Sequence, residues 1–180
     1  VTLNDLQPER IPKFKSLLFE VLRCHPPFPF SMLQANDDIP FCSTTLENGT
    51  QIFNLYRYTM KNPHSPPKNV PLGPHGETPD VFCPRRYLTR DDDGRMIVSV
   101  PPRNSTSFLS FGHGSRVCPG MAFSDATVSL TVATLIKNFE MKLAPNHAPI
   151  GRSKLLADIP DIDIRIIFTP RDKKEVGEEK

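Results

Sequence analysis

Residues 12–25 carry the clearest pattern in the chain. Phe14, Leu17, Leu18, Val21 and Leu22 fall at i, i+3, i+4, i+7 and i+8, the spacing of one helix face. Pro26 and Pro27 follow, and a residue before proline is pushed out of the α region, so the helix is expected to end near Cys24. A second helix is predicted over 121–139, with Val128, Val132, Leu135, Ile136 and Phe139 as its apolar stripe. Several threonines lower its intrinsic propensity, so packing must hold it. Residues 26–34 read as an extended entry into a strand. The Asn48-Gly49 pair signals a tight turn, and the β-branched and aromatic residues of 50–59 predict a strand. A short strand is expected at 96–100. Ile162, Ile164, Ile166 and Phe168 alternate with polar or charged neighbours, apart from Ile167, and predict another, half-buried one. The Asp91-Asp92-Asp93-Gly94 run reads as a solvated turn rather than a metal site, since no calcium-loop spacing follows. Residues 171–180 are charged and expected to fray.

Composition narrows the classes. At 180 residues, 38% hydrophobic and 23% charged, the chain is long enough for one domain with a core. A net charge of +2 argues against a dedicated nucleic-acid binder. No apolar run approaches the roughly 20 residues that span a bilayer, and no signal peptide is visible. The chain starts at Val1, so it is read as a piece of something longer. The chain has twenty prolines, and nine of them fall in 63–84 and 101–102, which must be irregular or extended. Cys24, Cys42, Cys83 and Cys118 are widely spaced without a Cys-x-x-Cys pair. A zinc site, a thioredoxin-type site and a disulfide framework are all disfavoured, and a reducing compartment fits.

The chemistry concentrates in 111–120, Phe-Gly-His-Gly-Ser-Arg-Val-Cys-Pro-Gly. Glycines let a backbone approach a bulky ligand closely. Cys118 can present a thiolate to a metal, and the start of the following helix favours negative charge there. Arg116 can pair with an anionic group of the same ligand. The bland alternative is a buried free cysteine in a Gly-rich turn. The pattern F-x-x-G-x-R-x-C-x-G, met at Phe111, Gly114, Arg116, Cys118 and Gly120, resembles the haem-binding signature of the cytochromes P-450. A chance match in a chain this long has odds on the order of 10⁻⁵ to 10⁻⁴.

Two further motifs stand upstream in the family's order. Glu20 and Arg23 sit three apart on the first helix, and on spacing alone they read as a weak surface pair. Followed by His25-Pro26-Pro27, they resemble the family's Glu-x-x-Arg helix, in which the pair is buried and locked to a later arginine. Residues 79–88 resemble its P-x-x-F-x-P-E-R-F segment at Phe82, Pro84 and Arg86, with Arg85 in place of the usual acid and Tyr87 in place of the usual Phe. Arg86 is then the third member, with Arg85 the alternative and a basic surface turn the structural one. The chain departs from the family in two other places: no basic residue stands near Leu33 or Gln34 to meet a propionate, and no Glu near Thr127.

The resemblance runs over about 12–168. It implies the C-terminal, haem-ligating portion (1–180) of a P-450 domain, mainly α with small β-sheets (α+β) and incomplete. Its parts are the Glu-x-x-Arg helix (12–25), the Pro/Arg segment (79–88), the cysteine loop (108–120), the following helix (121–139) and the tail (171–180). It implies haem b, with Cys118 as the iron ligand, Arg116 on a propionate, Phe111 near the sulfur, and Gly114 and Gly120 giving room. Glu20, Arg23 and Arg86 are implied to be structural, and His113 is expected to face solvent. The parent protein is implied to be a monooxygenase acting on a lipophilic substrate. Its electrons come from NADPH through a reductase, with cytochrome b5 as a possible second donor, at the cytoplasmic face of the endoplasmic reticulum membrane. Pro27–Gln34 and the turn at 148–156 are the segments expected to touch substrate. The chain alone is expected to be inactive, since the distal wall of such a site lies upstream. Two rival readings are a haem-thiolate isomerase or dehydratase that uses no O₂, and a non-enzymatic remnant.

Overall fold

The computed structural model describes residues 1–63, 70–101, 105–152, 157 and 159–171. Three helices, α1 (Pro12–Cys24), α2 (Tyr56–Lys61) and α3 (Met121–Asn138), are joined by four antiparallel strand pairs. β1 (Ser31–Gln34) pairs with β4 (Gln51–Asn54) in the register Ser31 to Asn54, and the hairpin β2 (Ile39–Phe41) and β3 (Thr44–Leu46) is inserted between them. β5 (Leu88–Arg90) pairs with β6 (Met96–Val98), and β7 (Phe139–Leu143) with β8 (Ile166–Pro170). Helices with small sheets are the α+β arrangement expected.

Helix α1 begins with Pro12 at its first turn, where the missing N–H costs no hydrogen bond. It ends where the His25 amide donates to the Val21 carbonyl at 2.7 Å. Its burial departs from the pattern read from its apolar residues, of which Phe14, Leu18 and Leu22 are only half-buried. Leu17 and Val21 are exposed, whereas Lys15, Ser16, Glu20, Arg23 and Cys24 are buried. Ser16, Glu20, Arg23 and Cys24 share the i, i+4, i+7, i+8 spacing, so α1 turns a second, polar stripe inward. That is tolerable only where each charge is paired.

Two strands depart from expectation. The segment 50–59 is a strand only to Asn54, and Tyr56–Lys61 then coils into α2. Met60, fully buried, draws this stretch inward, and tertiary docking overrides β propensity. The last strand runs over Ile166–Pro170 rather than 162–168, because its partner β7 is five residues long and sets Leu143 opposite Ile166. Phe139, predicted as the end of a helix, opens β7 and stacks edge-on against Phe168 at 5.7 Å.

The core lies between α1 and the segments 83–87 and 107–110. Phe19 meets Tyr87 at 5.8 Å and Phe108 at 5.9 Å, both edge-to-face. The Asp91–Gly94 turn is closed by Gly94 N–H on the Asp91 carbonyl at 2.9 Å and Arg95 N–H on Asp91 Oδ1 at 2.8 Å. Most of the tail expected to fray, 172–180, and residues 153–156 of the turn expected near substrate lie outside the described residues. Arg171, within them, donates from Nε to the carbonyls of Ile136 and Phe139 at 3.0 and 3.2 Å. No described helix is long and apolar enough to cross a membrane.

Candidate functional site: a cysteine loop on a buried ion cluster

The site is built in layers, and the lowest is charged. Arg23 grips Glu20 with two N–H groups, Nε to Oε2 and Nη2 to Oε1, both at 2.8 Å. Arg86 Nε reaches Glu20 Oε1 at 3.1 Å, and the Cys83 amide donates to the same oxygen at 2.7 Å. All three charged side chains are closed to solvent. Arg86, not the exposed Arg85, is therefore the partner in space. Burial pushes the Glu20 carboxyl up, but the Arg23 hydrogen bonds, the Cys83 amide and the two positive charges outweigh it and hold it below its ordinary range.

The remaining guanidinium protons explain how a proline-rich segment can be packed. Irregular backbone has no ladder to satisfy its carbonyls. Arg23 Nη1 donates to the carbonyls of Met60 at 2.7 Å and Pro79 at 2.6 Å. Arg86 donates to those of Pro71, Thr78 and Val81 at 2.5, 3.1 and 2.8 Å. A guanidinium offers five donors in a fixed fork, so two arginines organise residues 70–83, which have neither helix nor strand.

Met60 carries this order upward. Its carbonyl takes Arg23, while its sulfur accepts the Leu109 amide at 3.0 Å. Ser110 Oγ donates to the Leu22 carbonyl at 2.8 Å. Ser107, Phe108, Leu109 and Ser110 are all buried and form the floor of the loop.

The loop itself is held by backbone bonds. Gly112 N–H meets the Leu109 carbonyl at 2.9 Å, and Cys118 N–H meets the Phe111 carbonyl at 2.8 Å. Gly112 and Gly114 take φ of +82° and +69°, a region most L-residues avoid. Gly120 has an ordinary φ of −82°, and a Cβ there would make only van der Waals contact with the Cys118 sulfur, at 3.7 Å. Cys118 is a free, exposed thiol, and it lies three residues before the first turn of α3, whose leading N–H groups have no intrahelical acceptor. Arg116 and His113 are exposed, and Phe111 is half-buried with its ring 6.5 Å from that of Phe108.

A third layer escaped the sequence reading. Lys15, 3% exposed, reaches from α1 to α3. Its Nζ donates to Asp125 Oδ1 and Oδ2 at 2.8 and 2.7 Å and to Ser129 Oγ at 2.9 Å. The one available signal was the i, i+4 spacing of Asp125 and Ser129, which is common on any helix. Met60 was missed as well, because it falls between the strand read over 50–59 and the proline-rich segment that follows.

The cytochrome P450 family model matches residues 5–160. Among relatives, the chain is 31% identical to cytochrome P450 71D18 of Mentha gracilis, over 79% of this chain and 25% of that protein. It is 31% identical to a drimenol monooxygenase of Persicaria hydropiper, over 83% and 26%, and 32% identical to a ferruginol synthase of Isodon rubescens, over 81% and 26%. The chain thus spans about a quarter of the length of these curated relatives.

Proposed function

The chain belongs to the cytochrome P450 family, and from that premise we propose that residues 1–180 are the haem-ligating portion of a monooxygenase. In this reading Cys118 would hold the haem iron through its thiolate, and Arg116 would neutralise a propionate. Phe111 limits water at the sulfur, and Gly114 and Gly120 give the macrocycle room.

The observation that carries this reading is the exposed, free thiol of Cys118 on a loop whose backbone is closed at both ends. The surroundings fit a haem. Nothing stands within 4 Å of where a Gly114 Cβ would be, and Gly120 leaves the sulfur uncovered. Among the described residues, no three His, Cys, Asp or Glu side chains gather to hold a metal. One soft ligand with an arginine beside it suits a metal that brings its remaining ligands with it. Haem iron, when bound, supplies the oxygen chemistry, and a thiolate ligand favours O–O cleavage by pushing electron density onto it.

This chain's own residues orient and support. The Glu20–Arg23–Arg86 cluster fixes the proline-rich segment, Met60 and Ser110 fix the loop floor, and the Phe111 carbonyl holds the backbone of Cys118 through its amide. The relatives' printed names, a drimenol monooxygenase and a tabersonine 3-oxygenase, favour oxygen insertion into an organic, lipophilic substrate over isomerisation. Activity is assigned to the longer protein. Electrons come from NADPH through a reductase, with cytochrome b5 as an accessory donor, at the cytoplasmic face of the endoplasmic reticulum membrane. The test is the ferrous–CO spectrum of the haem-loaded full-length protein. The red-shifted Soret band of a thiolate ligand is expected in the wild type and lost in Cys118→Ser; its survival in the variant overturns the assignment.

A further inference from the structure

Building on the haem-thiolate reading above, we propose that Lys15, Asp125 and Ser129 form a positioning latch for the cysteine ligand. Lys15 of α1 holds the early turns of α3 in place, and α3 in turn sets the attitude in which the loop presents the Cys118 sulfur.

The geometry is that of a fully used cation. An ammonium group has three protons, and three acceptors surround Lys15 Nζ within 2.9 Å. Asp125 and Ser129 lie four apart and so share one face of α3 over adjacent turns. One lysine therefore fixes both the rotation of the helix and its position along its axis. Asp125 is seven residues beyond Cys118, and the intervening chain has little slack. Cys118 is tied back to Phe111 at 2.8 Å, and the Ser124 amide already closes onto the Gly120 carbonyl at 2.8 Å. A rotation of α3 is passed directly to the sulfur.

Apolar packing between α1 and the start of α3 is interrupted. The close backbone neighbours of α3 include the N-terminal turn Leu3–Leu6 and β7. Between α1 and the loop lies a cavity of about 230 Å³, lined by Phe19, Leu22, Phe111, Val117 and Met121, with Lys15 and Asp125 also on its wall. Close-packed interiors transmit position by interdigitation, and a cavity cannot. A lysine drawn almost wholly out of water gains little net stability from its partner, but its hydrogen bonds are directional. The latch therefore bears on where α3 sits more than on how stable the fold is.

The test uses the full-length, haem-loaded protein and three variants: Asp125→Asn, Asp125→Glu, and Lys15→Met with Asp125→Leu. Three quantities are read: the ratio of red-shifted to unshifted ferrous–CO absorbance, the reduction potential, and the urea midpoint. The ratio is expected to fall by about threefold to thirtyfold in Asp125→Asn and in the double variant, with a displaced potential. Asp125→Glu holds the ratio near the wild-type value. The double variant keeps its urea midpoint, because an apolar pair removes the buried Lys15 charge together with its half-exposed partner. A midpoint that falls while the ratio stays at the wild-type value in the double variant marks a merely structural contact and overturns the latch. A wild-type protein without the red-shifted band overturns the haem-thiolate reading itself, and the latch with it.

Discussion

Glu20 and Arg86, 66 residues apart in the chain, meet at 3.1 Å with both side chains closed to solvent. Arg23 grips the same carboxylate, so one negative charge faces two positive ones. The excess is spread over backbone carbonyls from Met60 to Val81. The cluster is a fastening for the chain between α2 and β5, and the cysteine loop rests on it through Met60.

Removing Glu20 strands two buried guanidinium groups. Glu20→Ala is expected to lower stability by about 3–5 kcal/mol, read from the urea midpoint of the full-length protein, with poor haem retention as a consequence. A variant that folds at the wild-type midpoint and merely turns over slowly would falsify the fastening role.

The same carboxylate makes stability depend on pH. Burial works to raise its pKa, yet Arg23, the Cys83 amide and Arg86 bring it below the ordinary value of 4.5. A carboxyl depressed in the folded state stabilises the protein above its unfolded pKa, and that contribution is lost as pH falls through the folded one. The urea midpoint is expected to be insensitive to this group near neutrality and to drop as pH goes below 4.5. Glu20→Gln starts lower and falls less steeply. Parallel curves for the two proteins would assign the acid transition to other groups.

Met60→Leu tests the step from cluster to loop. The side chains are similar in volume, so packing alone costs less than about 1.5 kcal/mol. The substitution removes the sulfur that accepts the Leu109 amide at 3.0 Å, and a buried donor left unpaired costs about 1–3 kcal/mol. Lower stability with faster hydrogen exchange at the Leu109 amide is expected. Unchanged exchange at that amide would show that the loop floor does not hang on Met60.

The sequence disclosed the elements whose signals are local. Proline brackets α1 at both ends. The helix after the loop was read to within one residue of its end, because its apolar stripe runs on to where β7 begins. The cysteine loop declared itself by five spaced residues. What stayed hidden depends on partners far along the chain. The inward face of α1 is polar, and no periodicity of apolar residues reports a stripe of Ser16, Glu20, Arg23 and Cys24. Spacing alone made Glu20 and Arg23 a surface pair, and only the arrival of Arg86 and the Cys83 amide makes their burial affordable. Lys15 and Asp125 lie 110 residues apart, and neither has a local feature that names the other. The strand read through 50–59 failed for the same reason, since its second half is bent into α2 by the docking of Met60.

Residues 1–180 alone are expected not to hydroxylate a substrate. The chain spans about a quarter of the length of its relatives, and α3 leaves Phe123 77% exposed, with Val128, Leu130 and Ile136 also on the surface. Exposed apolar side chains of this kind favour association. The thiol of Cys118 is open to solvent in the same way, and a site that does not exclude water permits side reactions in place of committed chemistry. The measurement is product formation by purified residues 1–180 with hemin, reductase, NADPH and a panel of lipophilic substrates, followed together with NADPH consumption. NADPH consumed without oxygenated product, or not consumed at all, is the expected result. Product formed in proportion to NADPH and dependent on substrate would show that these residues close a working site by themselves.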